Sequence, residues 1–202
     1  MSEPLSPEGR PDLPRKSHVG FFEARPWSWI ESFWQRMVVT DSLPPFLQGQ
    51  PPYSVTDLLP IHKLGSQEYA SNDPRYRRQT FALRISYLGS AYHGFQCQHA
   101  AGTQPTVPTV EQDLKDSLGR SVVAAGRTDR AVSAISQVIS FSTYDALSPT
   151  DFLLSLRAHP NFNQGKLSAS QCVRVPRRFH ALFSASWRRY VYLFPLNEGG
   201  FV

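Results

Sequence analysis

The placement of proline limits this chain first. Eleven of its 17 prolines fall in residues 1–80, and each removes a backbone donor and fixes φ, which makes regular structure costly there. This predicts that residues 1–78 are a Pro-rich, largely disordered N-terminal extension and that a compact domain runs over residues 79–202. Charge divides at the same point. Residues 1–80 hold nine Lys/Arg and nine Asp/Glu, residues 81–202 twelve against seven, so the whole formal charge of +5 belongs to the domain. A basic surface favours a polyanion nearby and releases its counterions, which makes nucleic acid a reasonable partner. A merely solubilising surface fits the same balance.

Other classes are disfavoured by what is missing. Cys97 and Cys172 match no metal-ligand spacing and no disulfide framework, so both are expected as free thiols. No apolar run approaches the roughly 20 residues that span a bilayer. Met1-Ser2-Glu3-Pro4 is not expected to open a secretory leader, and acidic Glu3, Glu8 and Asp12 disfavour an organelle leader. A soluble, intracellular protein is expected, with cytoplasm, nucleus and organelles left open. There is no Walker-type Gly-Lys-Ser/Thr, no Rossmann glycine fingerprint and no clustered His/Cys ligands, so neither a cofactor nor a metal is expected. His93, His99, His159 and His180 are scattered, and His180 reads as a structural polar group.

Within the extension, residues 26–38 stand apart. Pro26 suits a first helical turn, and Trp27, Ile30, Phe33, Trp34 and Met37 follow helical spacing, which predicts a helix with one strongly apolar face. Packing on the domain or on an absent part of the protein would cover that face; a membrane-surface or partner-docking helix is the sharper alternative. Residues 39–78 return to loop-like sequence, with Pro44-Pro45, Pro51-Pro52 and basic Arg75, Arg77 and Arg78.

From Gln79 the pattern becomes regular. Phe81, Leu83, Ile85 and Tyr87 alternate with Ala82, Arg84, Ser86 and Leu88, as a half-buried strand requires. After a Pro- and Thr-rich stretch, Thr109 with Gln112 predicts a capping box, with Val110, Leu114 and Leu118 on one helical face and Gly119 as the stop. Residues 121–125 read as a short buried strand and 137–143 as another. Ser148-Pro149 opens a second helix with Phe152, Leu153 and Leu156 inward, and strands follow near 168–175 and 186–194. The order β-α-β-β-α-β-β predicts an α+β domain, a mostly antiparallel sheet with helices on one face. The other face would be free for RNA.

The run Gly126-Arg127-Thr128-Asp129-Arg130 follows the short strand and sets one carboxylate between two guanidinium groups. Nearby positive charge favours the ionised form, which a nucleophile or general base requires. The alternative is a turn aspartate bonded to its own backbone, with the arginines simply exposed.

The surrounding segments carry a resemblance. Tyr87-Leu88-Gly89-Ser90-Ala91-Tyr92-His93-Gly94-Phe95-Gln96, Thr109-Val110-Glu111, Ala125 to Asp129, Gln137-Val138-Ile139-Ser140-Phe141, and Arg178-Phe179-His180-Ala181 through Arg188-Arg189-Tyr190-Val191-Tyr192 occur in the order of the TruA-type tRNA pseudouridine synthases. The chain resembles that family over about residues 79–195. The resemblance implies the ferredoxin-like first half of the pseudouridine synthase fold, and an isomerase that converts uridine to pseudouridine in tRNA without a cofactor. It implies Asp129 as the catalytic carboxylate. Arg127 would pair with phosphate or with the aspartate and help hold the flipped nucleotide, and Tyr190 would stack on the extruded uracil. Arg188 and Arg189 would contact phosphate; a sheet aromatic and a solvated charge pair are the plainer readings of these last three. Partners implied are tRNA and, as in the family, a second copy in a homodimer, with no membrane.

Two positions depart from the family beside the loop. Ala131 stands where Gly is usual, and a methyl at a positive-φ position strains a turn by roughly 1 kcal/mol. Ser133 stands where bacterial members usually have His and looks like the eukaryotic branch. The resemblance matches only the first half of a typical member, so the domain is expected to be truncated at its C-terminal end. That leaves a catalytically incomplete RNA-binding remnant as the alternative function.

Overall fold

The computed structural model describes residues 26–44, 78–97, 107–145 and 147–194. The expected disorder of residues 1–20, the prolines at 51 and 52 and the arginines at 75 and 77 lie outside them. The chain divides into two compact units, Glu31–Val191 and Met1–Ile30 with Tyr192–Val202. In the second, Trp27 meets Phe194 edge to face at 6.5 Å.

Helix α1, Trp27–Thr40, matches the expected 26–38 segment. Ile30, Phe33, Trp34 and Met37 are half-buried and Val38 is buried, whereas Trp29 stays exposed. The sheet has four strands in the order β2-β3-β1-β4, where β1 is Gln79–Tyr87, β2 Val123–Ala124, β3 Ala134–Thr143 and β4 Leu167–Val175. Every pairing is antiparallel. This is an open antiparallel sheet with helices, an α+β fold.

The period of two in β1 sorts its side chains. Phe81, Leu83, Ile85 and Tyr87 enter the main core with Val110, Leu114 and Leu118 of α2 (Val110–Leu118) and Phe152 and Leu156 of α3 (Pro149–Ala158). Phe152 closes an aromatic cluster, 4.9 Å from Phe81 and 5.4 Å from Phe141. Both helices have the expected ends. Thr109 caps α2 by accepting from the Gln112 amide at 3.4 Å, and Gly119 stops it at φ 66°. The Gln112 side chain binds Asp116 at 2.7 Å, so that box is half formed. At α3 the reciprocal box is complete between Ser148 and Asp151. A short helix α4, Pro160–Asn163, follows and had no expectation in the sequence.

Two expectations are corrected. The second face of the sheet is not free along its length, which is why β1 is buried on both sides rather than half-buried. Ala82 and Val175 pack there with Val138, Val173 and Phe179, and Asp41, just past α1, ion-pairs with Arg84 at 2.8 Å. The strand expected at 186–194 does not form. A strand is stable only through a ladder, and 185–194 finds no partner strand among the described residues. Residues 177–181 instead lie on the second face: Thr80 donates to the Arg177 carbonyl at 3.5 Å, and Ser140 accepts from the Ala181 amide at 3.1 Å, at the start of α5 (Ala181–Ser184).

Candidate active site

The loop between β2 and β3 is built by its neighbours. Its first carbonyl, on Ala125, accepts both the Nε of Arg188, at 2.9 Å, and a second nitrogen of the same guanidinium. The Gly126 carbonyl accepts from the Gln137 amide group. A Cβ at Gly126 would lie 3.0 Å from Arg188 Nε, so glycine lets that guanidinium approach.

The middle of the loop is clamped by the segment after β1. Tyr87 and Thr128 share a hydroxyl hydrogen bond of 2.8 Å, and the Thr128 carbonyl accepts from the Phe95 amide at 3.0 Å. The Tyr92 carbonyl accepts from Ala131 at 3.4 Å. Burial pushes the Tyr87 hydroxyl up to about 12 against a smaller opposing effect of Thr128, so it stays a neutral hydroxyl. Burial, then the Asp113 carboxylate at 2.8 Å, raises Tyr92 as well. The clamp is itself held by α2, because the Val110 and Glu111 amides donate to Gly94 and Phe95.

Backbone approach at the clamp is close. A Cβ on Gly89 would stand 2.2 Å from the Val132 carbonyl carbon and 2.5 Å from Ala131 C and Ser133 N, all backbone atoms. Gly94 takes φ 106° with the Thr128 oxygen 3.2 Å from where a Cβ would be. The Gly89 amide donates to the Ser133 hydroxyl at 2.9 Å. The family departure at Ser133 therefore has a task, which sequence reading missed along with Gln137 and the Tyr87–Thr128 pair. The only signal was the density of Gly and aromatic residues in 87–95.

Ala131 adopts φ 64°, the left-handed conformation that glycine takes without strain. Such a position costs an alanine about 1 kcal/mol or more. Ala131→Gly is therefore expected to raise unfolding free energy by about 0.5–1 kcal/mol, the added chain entropy of glycine offsetting part of the relief. A urea titration checks this, and an unchanged midpoint would show the turn unstrained.

On this mount Asp129 is exposed. Arg127 and Arg130, also exposed, form no ion pair with it among the described residues. Their guanidinium groups flank the carboxylate in sequence and face water. Arg188 lies at the loop's start but spends its guanidinium on Ala125. Arg189 is exposed, as is Tyr190 at 66%. Arg189 and Tyr190 follow Arg188 in the chain and have no contact to Asp129 among the described residues. His180 stacks on Phe183 at 4.4 Å, a packing role.

Proteins of established description resemble part of the chain. The tRNA pseudouridine synthase A of Anaplasma phagocytophilum is 34% identical over 110 residues, covering 54% of this chain and 44% of that protein. That of Blochmanniella pennsylvanica is 38% identical over 126 residues, 59% of this chain and 44% of that protein. An archaeal counterpart from Methanothrix thermoacetophila is 38% identical over 117 residues, 55% of this chain and 40% of that protein. The match thus spans well under half the length of these relatives. No protein-family model matches the chain.

Proposed function

We propose that the chain, which resembles the tRNA pseudouridine synthases A over about half of its length, is a tRNA pseudouridine synthase of the TruA type with Asp129 as its nucleophile. One observation supports this most. The Asp129 carboxylate is exposed and unpaired among the described residues, while the backbone on both sides of it is tied to 87–95. A nucleophile needs a free functional group on a mount that does not move. A turn aspartate of purely structural use would spend its oxygens on nearby amides.

The reaction rearranges the substrate within itself. The carboxylate forms a bond to the target nucleoside as the glycosidic bond to N1 breaks; the uracil turns and rejoins the sugar through C5 as the bond to the carboxylate breaks, the C5 proton leaves to water and N1 takes up a proton from water. The product has the mass of the substrate, and no electrons are gained or lost. Arg127, in the loop, and Arg189, next to Arg188 in the chain, are both exposed and suited to phosphate. Tyr190 offers a ring face for an extruded base. Arg188 acts in this reading as a brace for the loop, reaching phosphate only with whatever its Ala125 bonds leave free.

The test uses unmodified tRNA carrying tritium at uridine C5. Incubation with the 202-residue chain in excess is expected to release tritium to water. Salt-sensitive tRNA binding with no release would instead leave an RNA-binding module.

A further inference from the structure

Both neighbours of β1 slip register within the same few residues. Against β3, Ile85 faces Gln137 but Tyr87 faces Ala134, which gives β3 an extra residue there. Against β4, Arg84 faces Gln171 but Ile85 faces Ala169, which leaves Ser170 over. Ser136, within the β3 bulge, takes φ 61°. Paired bulges redirect strands and are conspicuous beside active sites.

One carboxylate from outside the sheet reaches both bulges. Asp41 ends α1 at φ 47°, a conformation aspartate tolerates, and its amide donates to the Val38 carbonyl at 3.4 Å. Ser168 of β4 donates to the same carbonyl at 2.9 Å. Asp41 Oδ2 accepts from Arg84 at 2.8 Å, and the Nε of that guanidinium donates to Ser170 Oγ at 2.7 Å. Asp41 Oδ1 accepts from Ser86 Oγ, which in turn accepts from the Ser136 amide at 3.0 Å. The group is enclosed, with the Asp41 and Arg84 side chains 11% and 18% exposed and Ser86 fully buried.

We propose that Asp41 is a positioning residue for the catalytic loop, acting through Ser86 on the Ser136 bulge, and that Glu31–Asp41, the last turns of α1 with the residue that follows it, is a working portion of the catalytic unit. The inference rests on the reading of Asp129 given above. β3 begins at Ala134, directly after Ser133, so the bulge sets the course by which the chain leaves the loop. Among the described residues, the other anchors of that loop come from 87–95, 137 and 188; Asp41 secures its exit from the opposite face of the sheet. Asparagine at 41 keeps one acceptor oxygen and turns the other into an NH2 donor, so the enclosed Arg84 and Ser86 no longer both have an acceptor, and the bulge loses the fixed hydroxyl orientation that receives the Ser136 amide.

The experiment compares Asp41→Asn, Ser86→Ala and their double variant in the 202-residue chain, with Asp145→Asn, which breaks the Arg120 pair elsewhere, as control. Amide hydrogen exchange is read at 126–136, in α2 and in α3, with single-turnover tritium release and tRNA affinity beside it. Expected in Asp41→Asn and Ser86→Ala is a rise of about tenfold or more in exchange at 126–136 over unchanged α2 and α3. The turnover rate should fall about tenfold at unchanged affinity, and the double variant should add little to either single one. The control should match the native chain. Unchanged exchange at 126–136, or an equal rise in α2 and α3, overturns the proposal, the latter by reducing Asp41 to general stability. If the native chain releases no tritium, the synthase reading fails while the exchange comparison still decides whether Asp41 holds the loop.

Discussion

Asp129→Asn should bind tRNA like the native chain and release tritium at least ~10⁴-fold more slowly. Asparagine keeps the shape and exposure of aspartate and removes the negative charge that makes its oxygen nucleophilic. Since the Asp129 side chain has no partner among the described residues, stability should shift by no more than ~0.5 kcal/mol. Catalytic loss with an unmoved melting curve is the signature of a group that reacts rather than supports. Single-turnover release with protein in excess, read beside a thermal melt, gives both numbers, and a rate within tenfold of native would assign the nucleophile elsewhere.

The second large effect is expected away from the reacting atoms. Gly89→Ala sets a methyl where three backbone atoms of 131–133 stand within 2.5 Å. No flexible side chain can yield there, so either the loop or the turn Gly89–Ala91 must move. Overpacking of this kind costs at least about 2 kcal/mol. A displacement of about 1 Å at the loop is worth roughly 100-fold in rate. Urea unfolding and the tritium assay should therefore both respond, unlike at Asp129. A native-like rate in Gly89→Ala would mean that the loop tolerates displacement and that the clamp is not what orients Asp129.

Much of this was legible in the chain because the signals are local. The alternation Phe81, Leu83, Ile85, Tyr87 and the spacing Val110, Leu114, Leu118 announce a face each, and Gly119 and Ser148-Pro149 mark helix ends by their own backbone preferences. What failed depends on remote partners. Residues 186–194 have the composition of a strand and no ladder to join. The burial of Arg84 and Ser86 is invisible in a period-two pattern, which assigns both to water; it follows from Asp41, brought back across the sheet by a helix far away in sequence. At the loop, Asp129 stands out from its run of charged neighbours, yet the distant contacts that hold it, Ser133 to Gly89 and Gln137 to Gly126, involve residue types with no fixed address. Ala131 was legible only because a glycine was expected there.

The position of β1 has a kinetic consequence. As an inner strand of the sheet it pairs Phe81 with Phe141 and Leu83 with Cys172, so both of its ladders join segments far apart along the chain. Loops of that length are slow to close, and no local hairpin seeds the sheet around β1. During synthesis the strand waits with its apolar side chains unsatisfied until β3 emerges, and remains an open edge until β4 does. The nascent chain is then most prone to wrong pairing, and α2, capped at both ends and made entirely of neighbouring residues, is the element able to shelter that surface in the interval.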